Sequence, residues 1–448
     1  MGILTSKGKG RSPLLDKKDQ TGRHLSIKEE REEEKEADCN NYKTCWTIVN
    51  GQQGASLLGA PYAISVGGYW ALLSSIIIAI FANYTSKILI ECLYNDDEGD
   101  PDDDDSDDDD GDDEHPDTDT TTKVMVRHSY MEIADDSLRG MAIIARCCIQ
   151  AHSFTIAIMY LQTMGAILYE LLQQVIPLSN NAFLAIIVCA SLVFVFISTL
   201  SMIAFLSLWA LVSLSLLTFS VGYYCITERD SWQSEYLNKL DIMNLMYASS
   251  IIVSNFGSQF FIIDVYKSMK TPEYFSPVLN ASAVISVIFF VAISLPAAVL
   301  FGSTVNEFVN LSVPPGILNV IVNVTFLLKS FLSLPFAIYI CDVNLPQFRF
   351  FDNYTQWDLQ HWVSCVRRAV LILVAYLLAV ILPSYSVLLN ISGGTVMVLV
   401  ELILPACFHL KLKNKLSRLQ VAMDILLILF GISVSSVTII NVVLKFIT

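Results

Sequence analysis

From residue 45 onward the chain alternates between apolar stretches of about twenty residues and short polar joints. The longest block, "AFLAIIVCASLVFVFISTLSMIAFLSLWALVSLSLLTFSVGYYCIT" at 182–227, holds two such stretches back to back. About 20 apolar residues carry a helix across the hydrocarbon core. The pattern therefore predicts eleven membrane spans, at 45–66, 69–94, 140–172, 181–201, 205–227, 243–265, 279–302, 316–342, 363–386, 388–409 and 421–445. The third and eighth are long enough to tilt or to extend past the bilayer. The chain reads as an all-α polytopic membrane protein.

Two of these spans are interrupted. "NGQQGASLLGAPYAISVGG" at 50–68 puts Gly51, Gly54, Gly59, Pro61, Gly67 and Gly68 into the first. Glycine and proline cost a helix interior about 1 and 3 kcal/mol respectively. Small residues can also serve close helix packing, but Gly51, Gly54 and Pro61 do not share one helical face, which favours a break. Non-helical backbone survives at membrane depth only when it is buried in protein or lines a wet cavity. A broken helix there presents free N–H groups and the positive end of a half-helix to an anion such as an amino acid carboxylate. The sixth span, "ASSIIVSNFGSQFFIID" at 248–264, gathers Ser249, Ser250, Ser254, Asn255, Gly257, Ser258 and Gln259 at its centre. Breaks at matching positions divide spans 1–5 and 6–10 into two five-helix halves, with span 11 appended.

Charge changes the picture in one place. The formal net charge of −15 comes from "DDEGDPDDDDSDDDDGDDEHPDTD" at 96–119, with 17 acidic and no basic side chains; the rest of the chain is +2. With no apolar residue to bury and strong self-repulsion, 95–137 reads as an acidic disordered loop, and 1–44 reads as a disordered tail. Lys267, Lys270, Arg367, Arg368 and "KLKNKLSR" at 411–418 fall on one side of the predicted topology. Positive charge in short loops marks the cytosolic side, so the N-terminus is expected inside and the C-terminus outside. Residues 1–44 have no apolar core of a signal peptide, so the first span must double as the targeting signal. "MGILTS" matches a myristoylation pattern at Gly2, but a loose six-residue match arises by chance and eleven spans need no lipid anchor. Of six N-x-S/T sequons, only Asn310 falls in an outside loop of any length, so a glycan is expected there if anywhere. The ten cysteines are scattered without C-x-x-C spacing and read mostly as small apolar fillers.

Ionisable residues inside spans default to functional candidates. Lys329 lies near the middle of span 8 with Ser330 and Ser333 beside it. It suits a fixed cation at the core, or a lysine held by backbone carbonyls. His152 in span 3 is either a proton carrier, since imidazole titrates near neutrality, or a satisfied buried side chain. Glu401 in span 10 is a carboxyl in an apolar segment, where desolvation favours the uncharged form. Asp264 and Asp342 fall at cytosolic span ends, where solvation is expected. Phosphate-loop, metal-ligand and nucleic-acid patterns are missing, so no enzyme, no cofactor and no nucleic-acid partner is expected, and the driving energy must come from an ion gradient or the substrate's own.

"CWTIVNGQQGASLLGAPYAISVGGYW" followed by "NYTSKILIECLYNDDEGD" resembles the first two spans of the amino acid/auxin permease family. "KVMVRHSYMEIAD", "LLKSFLSLPFAIY" and "ISGGTVMVLVELILPACFHLKLK" extend the resemblance over 45–448, the amino acid transporter domain. The resemblance implies a LeuT-like fold of two inverted five-helix repeats with an amino acid bound between the centres of spans 1 and 6. It implies that Gly54, Ala55, Ser56 and Gly59 meet the substrate carboxylate through backbone N–H groups. Carbonyls of Ser254, Asn255, Phe256 and Gly257 would meet the amino group. Lys329, with His152, would serve ion coupling, a proton rather than sodium. The implied function is proton-coupled antiport of small neutral amino acids such as GABA or glycine across a synaptic or other intracellular vesicle membrane. The alternatives are a proton- or sodium-coupled symporter of the plasma or lysosomal membrane, and an amino-acid sensor.

Overall fold

The computed structural model describes residues 39–95, 125–345 and 357–447, apart from 198, 239, 307, 383 and 384. The expected tail up to residue 38, the acidic tract and the sequon at Asn353 lie outside the described residues. Among the described residues all regular structure is helical, with isolated bridges at Cys39–Met269 and Tyr94–Met125. Among the described residues nine helical stretches are long and apolar enough to cross a membrane, one of them running through α7 and α8 and one through the π turns.

Helix α1 (Asn41–Gln52) begins where the Asn40 side chain accepts from the Lys43 N–H at 2.9 Å, an N-cap five residues before the expected start of the first span. It stops at Gln53–Gly54, and a 3₁₀ turn, Ala55–Gly59, leads into α2 (Ala60–Glu91). Proline at the start of α2 suits the first turn, where its missing N–H costs nothing. Gly68, at φ 64° and ψ −158°, splits α2 into two legs. Cross-contacts show that the legs run in opposite directions along α7 (Ile242–Phe256) and its continuation α8 (Gln259–Lys267). Ser56 Oγ donates to Ser254 O, and the Gly67 backbone closes on Leu245 and Ala248. Then Ser74 meets Ser249 and Ser86 meets Ser258. Only a residue without a Cβ takes φ near +64° without strain, so Gly68 lets the chain turn back within one residue.

The remaining helices are α3 (Tyr130–Ser137), α4 (Met141–Leu172), α5 (Asn180–Ser191, prolonged by a 3₁₀ turn to Phe196), α6 (Leu200–Thr227), α9 (Phe275–Phe301) and α10 (Ile317–Val343). They are followed by α11 (Trp357–Ile381), α12 (Tyr385–Ile391), α13 (Leu404–Leu412) and α14 (Arg418–Ile447). Two wide π turns, Ser392–Met397 and Leu399–Ile403, join α12 to α13. The helix pair α7–α8 is 89% buried over its most apolar stretch, whereas α14 is 22% buried, which sets the broken pair at the centre and α14 at the periphery.

Asp342 departs from the sequence expectation. Its carboxylate is buried at the end of α10, where it accepts from Arg367 Nε and, at 2.8 Å, from Arg368 Nε. Arg368 also donates to the carbonyls of Val195 and Ile197 beyond α5. One carboxylate thus ties α5, α10 and α11 together. Removing one partner of such a buried pair costs about 3–5 kcal/mol because the other charge stays uncompensated. Asp342→Asn is expected to lower the thermal unfolding midpoint sharply in detergent, while Arg367→Gln, whose guanidinium is one-third exposed, costs much less.

Asn310 departs as well. It is 2% exposed, and its Nδ2 donates to Asn323 Oδ1 at 2.9 Å. Asn323 in turn donates to Asn319, which donates to Val313 O. The nitrogen that would carry a glycan is engaged inside the fold. Protein expressed in mammalian cells is expected to show no gel shift at this sequon after peptide N-glycosidase treatment.

Candidate functional site

The breaks in the first and sixth spans face each other. Gly54, Ser56, Ser254 and Gly257 line one small cavity together with Gly51 and His152. It is closed by apolar side chains of α4 and α8, among them Met159 and Phe260, and by Leu389 and Ser392. The walls leave room for about one water. On α4, His152, Ile156, Met159 and Tyr160 follow helical spacing and so present one face to the break.

The polar groups of the two breaks are locked together. Gln53 Nε2 donates to Asn255 O at 3.1 Å, and Ser56 Oγ to Ser254 O at 3.0 Å. Asn255 Nδ2 donates to Ile251 O and, at 3.4 Å, to Ser56 O. Two of the four carbonyls expected for an amino group are therefore occupied by first-span side chains. Among the described residues no donor reaches the carbonyls of Phe256 and Gly257. On the other side, Ala55 and Ser56 open the turn that continues into α2, with no preceding helical turn to satisfy their N–H groups.

Lys329 is fully buried on α10, behind the first break rather than on the cavity wall. Its Nζ donates to Gln53 O at 2.5 Å and to Tyr160 Oη at 3.3 Å, and lies 5.4 Å from the Tyr160 ring centre. The carbonyl released where α1 ends is thus taken by an ammonium. Among the described residues no carboxylate lies within ion-pair distance of it. His152 lines the cavity, with Nδ1 2.7 Å from Ser392 Oγ and its ring edge-on to Phe260 at 4.8 Å.

Gly59 and Phe256 are buried away from the cavity, Gly59 where the 3₁₀ turn joins α2 and Phe256 against Phe290. For Ala55 only the backbone is described. The sequence reading did not single out Gln53, Tyr160 or Ser392. Tyr160 was reachable, because it stands two helical turns from His152 on the same face. Gln53 was hidden inside a glycine pattern, and nothing in the sequence signals that Ser392 meets His152.

The π turns bring the tenth span against α7. A Cβ at Gly393 would overlap Ser254 Oγ and stand 2.8 Å from Ser250 O. Val400 O in the second π turn accepts from Tyr130 Oη at 2.8 Å; burial pushes that phenol well above its ordinary value, so it stays a donor.

The model of the family described as transmembrane amino acid transporter protein matches residues 39–105 and 117–444. The chain belongs to this transmembrane amino acid transporter family. It is 24% identical over 430 residues to the vesicular GABA transporter of Caenorhabditis elegans, covering 93% of this chain and 82% of that one. It is 27% identical over 411 residues to the vesicular inhibitory amino acid transporter of Xenopus tropicalis, covering 88% and 74%. Among solved structures it is similar to a manganese transporter of Eremococcus coleocola, with a TM-score of 0.56 at 12% identity over 90% of this chain and 86% of that one, a likeness of fold alone. This member of the transmembrane amino acid transporter family is therefore a multi-pass membrane protein with a transporter fold, and not an enzyme.

Proposed function

We propose that the chain is a secondary active transporter that moves small neutral amino acids, such as GABA or glycine, into acidic vesicles in exchange for protons. The observation that carries this reading is the pair of facing breaks around one cavity, backed by a buried ammonium on Gln53 O. In it, the substrate carboxylate meets the N–H groups of the turn that Gly54, Ala55 and Ser56 open, a turn ending at Gly59. The amino group meets the carbonyls left free at Phe256 and Gly257, beside Ser254 and Asn255. Lys329 supplies the fixed positive charge at the first break, and His152 on the cavity wall stands with it as the ion-coupling pair. The vesicular relatives at 24% and 27% identity support the choice of substrate and membrane.

The architecture we propose has eleven spans in two inverted five-helix repeats plus one. The reversal at Gly68 supports counting the first helix pair as two spans, and the 180–196 pair supplies a further short one. Packing supports the symmetry. In one half, α1 packs on α6 and α9; in the other, α7 packs on the first π turn and α2. We place the tail before α1 and the acidic stretch after Tyr94 on the cytosolic side; residues 41–44 and 130–137, which the sequence pattern assigns to the tail and the disordered loop, instead belong to α1 and to the buried helix α3. Lys413 Nζ reaches Tyr94 O and Tyr94 meets Tyr266, so basic segments gather at one end of the bundle. That supports a cytosolic N-terminus and a lumenal C-terminus.

The test is uptake of labelled amino acids by the purified chain in proteoliposomes. Accumulation of GABA or glycine driven by an acidic interior is the expected result. Uptake that follows external sodium instead makes the protein a symporter, and binding without flux makes it a sensor.

A further inference from the structure

Glu401 sits on the second π turn, 0% exposed, and neither carboxyl oxygen has a hydrogen-bond partner. Buried polar groups are nearly always paired, and an unpaired one loses its hydration with nothing in return. The place it occupies is specific. Its Oε2 lies 2.7 Å from where a Cβ on Gly257 would stand, and Met397 Cε overlaps that same point. The carboxyl therefore fills the notch that glycine leaves at the α7–α8 break. Gly257 lines the substrate cavity and Glu401 does not. Glu401 thus stands behind Gly257, outside the cavity that would hold a substrate.

The titratable groups on the elements packed around this turn are engaged elsewhere. His152 on α4 is held by Ser392, and Tyr84 on α2 and His409 on α13 both bond to Asp424 of α14. Lys87 on α2 bonds to Asn280, and Tyr266 on α8 to Tyr94. Asp264 and Lys267 lie farther along α8, and Tyr130 on α3 donates to Val400 O. Among the described residues none forms an ion pair or hydrogen bond with Glu401.

We infer that Glu401 carries the exchanged proton, and that the α7–α8 break is its gate. With Gly257 closed against it, the carboxyl is kept from water and stays a neutral acid, because a buried carboxylate has neither solvent nor a partner to stabilise its charge. When the break moves off the π turn, water enters, the acid's O–H bond breaks, and the proton passes to water as the carboxylate forms. Reprotonation by the reverse step on the other side allows the break to close again. Proton occupancy and the position of the break are thereby linked, since each charge state prefers one arrangement.

This inference rests on the antiport reading, and the experiment separates the two. Full-length protein in proteoliposomes is assayed for gradient-driven GABA or glycine uptake and for substrate exchange at equal pH. With one proton per substrate, a gradient of about one pH unit supports about tenfold accumulation by the wild type. Glu401→Gln, which keeps shape and loses the proton, is expected to accumulate nothing while exchanging substrate at close to the wild-type rate. Glu401→Asp, which keeps an acid, is expected to retain driven uptake with a displaced pH midpoint, and it also serves if the glutamine variant fails to insert. Driven uptake by Glu401→Gln overturns the inference and leaves antiport standing. Loss of exchange together with driven uptake in a folded Glu401→Gln overturns it too, because the carboxyl is then part of the packing. A wild type that ignores the pH gradient overturns both.

Discussion

Lys329→Met is expected to reduce amino acid uptake by roughly 5- to 150-fold, the range that corresponds to about 1–3 kcal/mol for a lost hydrogen bond at a buried group. Methionine keeps the length and apolar stem of lysine and removes only the ammonium. Gln53 O then loses the donor at 2.5 Å that holds it at the end of α1, and Tyr160 Oη loses its cation. The first break is free to shift, and with it the Gln53 amide that bonds Asn255 O across the site. Stability is expected to hold or rise, because the desolvation cost of an ammonium without a carboxylate partner leaves with it. Loss of initial uptake rate at matched protein amounts, with an unchanged thermal midpoint, is the signature of a residue that serves the site. Wild-type uptake by Lys329→Met would show that the break keeps its shape without the cation.

Gly393→Ala is expected to impair both folding and transport. The new methyl overlaps Ser254 Oγ and lies 2.8 Å from Ser250 O, a backbone atom that cannot rotate away. Overpacking of this kind costs typically about 1–3 kcal/mol. The first π turn must then retreat from α7, and Ser392 is carried off His152 with it. A lower thermal midpoint and weak uptake are the expected readouts. Adding Ser254→Ala removes the side-chain overlap and leaves the contact with Ser250 O, so the double variant is expected to recover only part of the loss. Full stability in Gly393→Ala alone would mean that the tenth span does not approach α7 this closely.

Both outcomes turn on details that differ in how far the sequence discloses them. The breaks are legible, because Gly54, Pro61 and the polar cluster Ser254–Gln259 conflict locally with a membrane helix wherever they fall. Lys329 is legible as a candidate for the same reason, since a charge in an apolar span needs an explanation. Asp342 is misread, because position at a span end says nothing of the two arginines that α11 brings to it. Asn310 is misread too: a sequon is a local pattern, while its closure depends on Asn323 thirteen residues away.

The sequence by itself determined the membrane class, the all-helical character and the two points where helix cannot continue. Those properties follow from residue-by-residue transfer cost and backbone satisfaction, which depend on near neighbours in the chain. Only the tertiary structure decided which groups face which: Gln53 O toward Lys329, His152 toward Ser392, and Glu401 against the bare backbone of Gly257. The partners in these pairs lie more than 140 residues apart in sequence, and a contact is set by the packing of whole helices rather than by any property of the residues that meet.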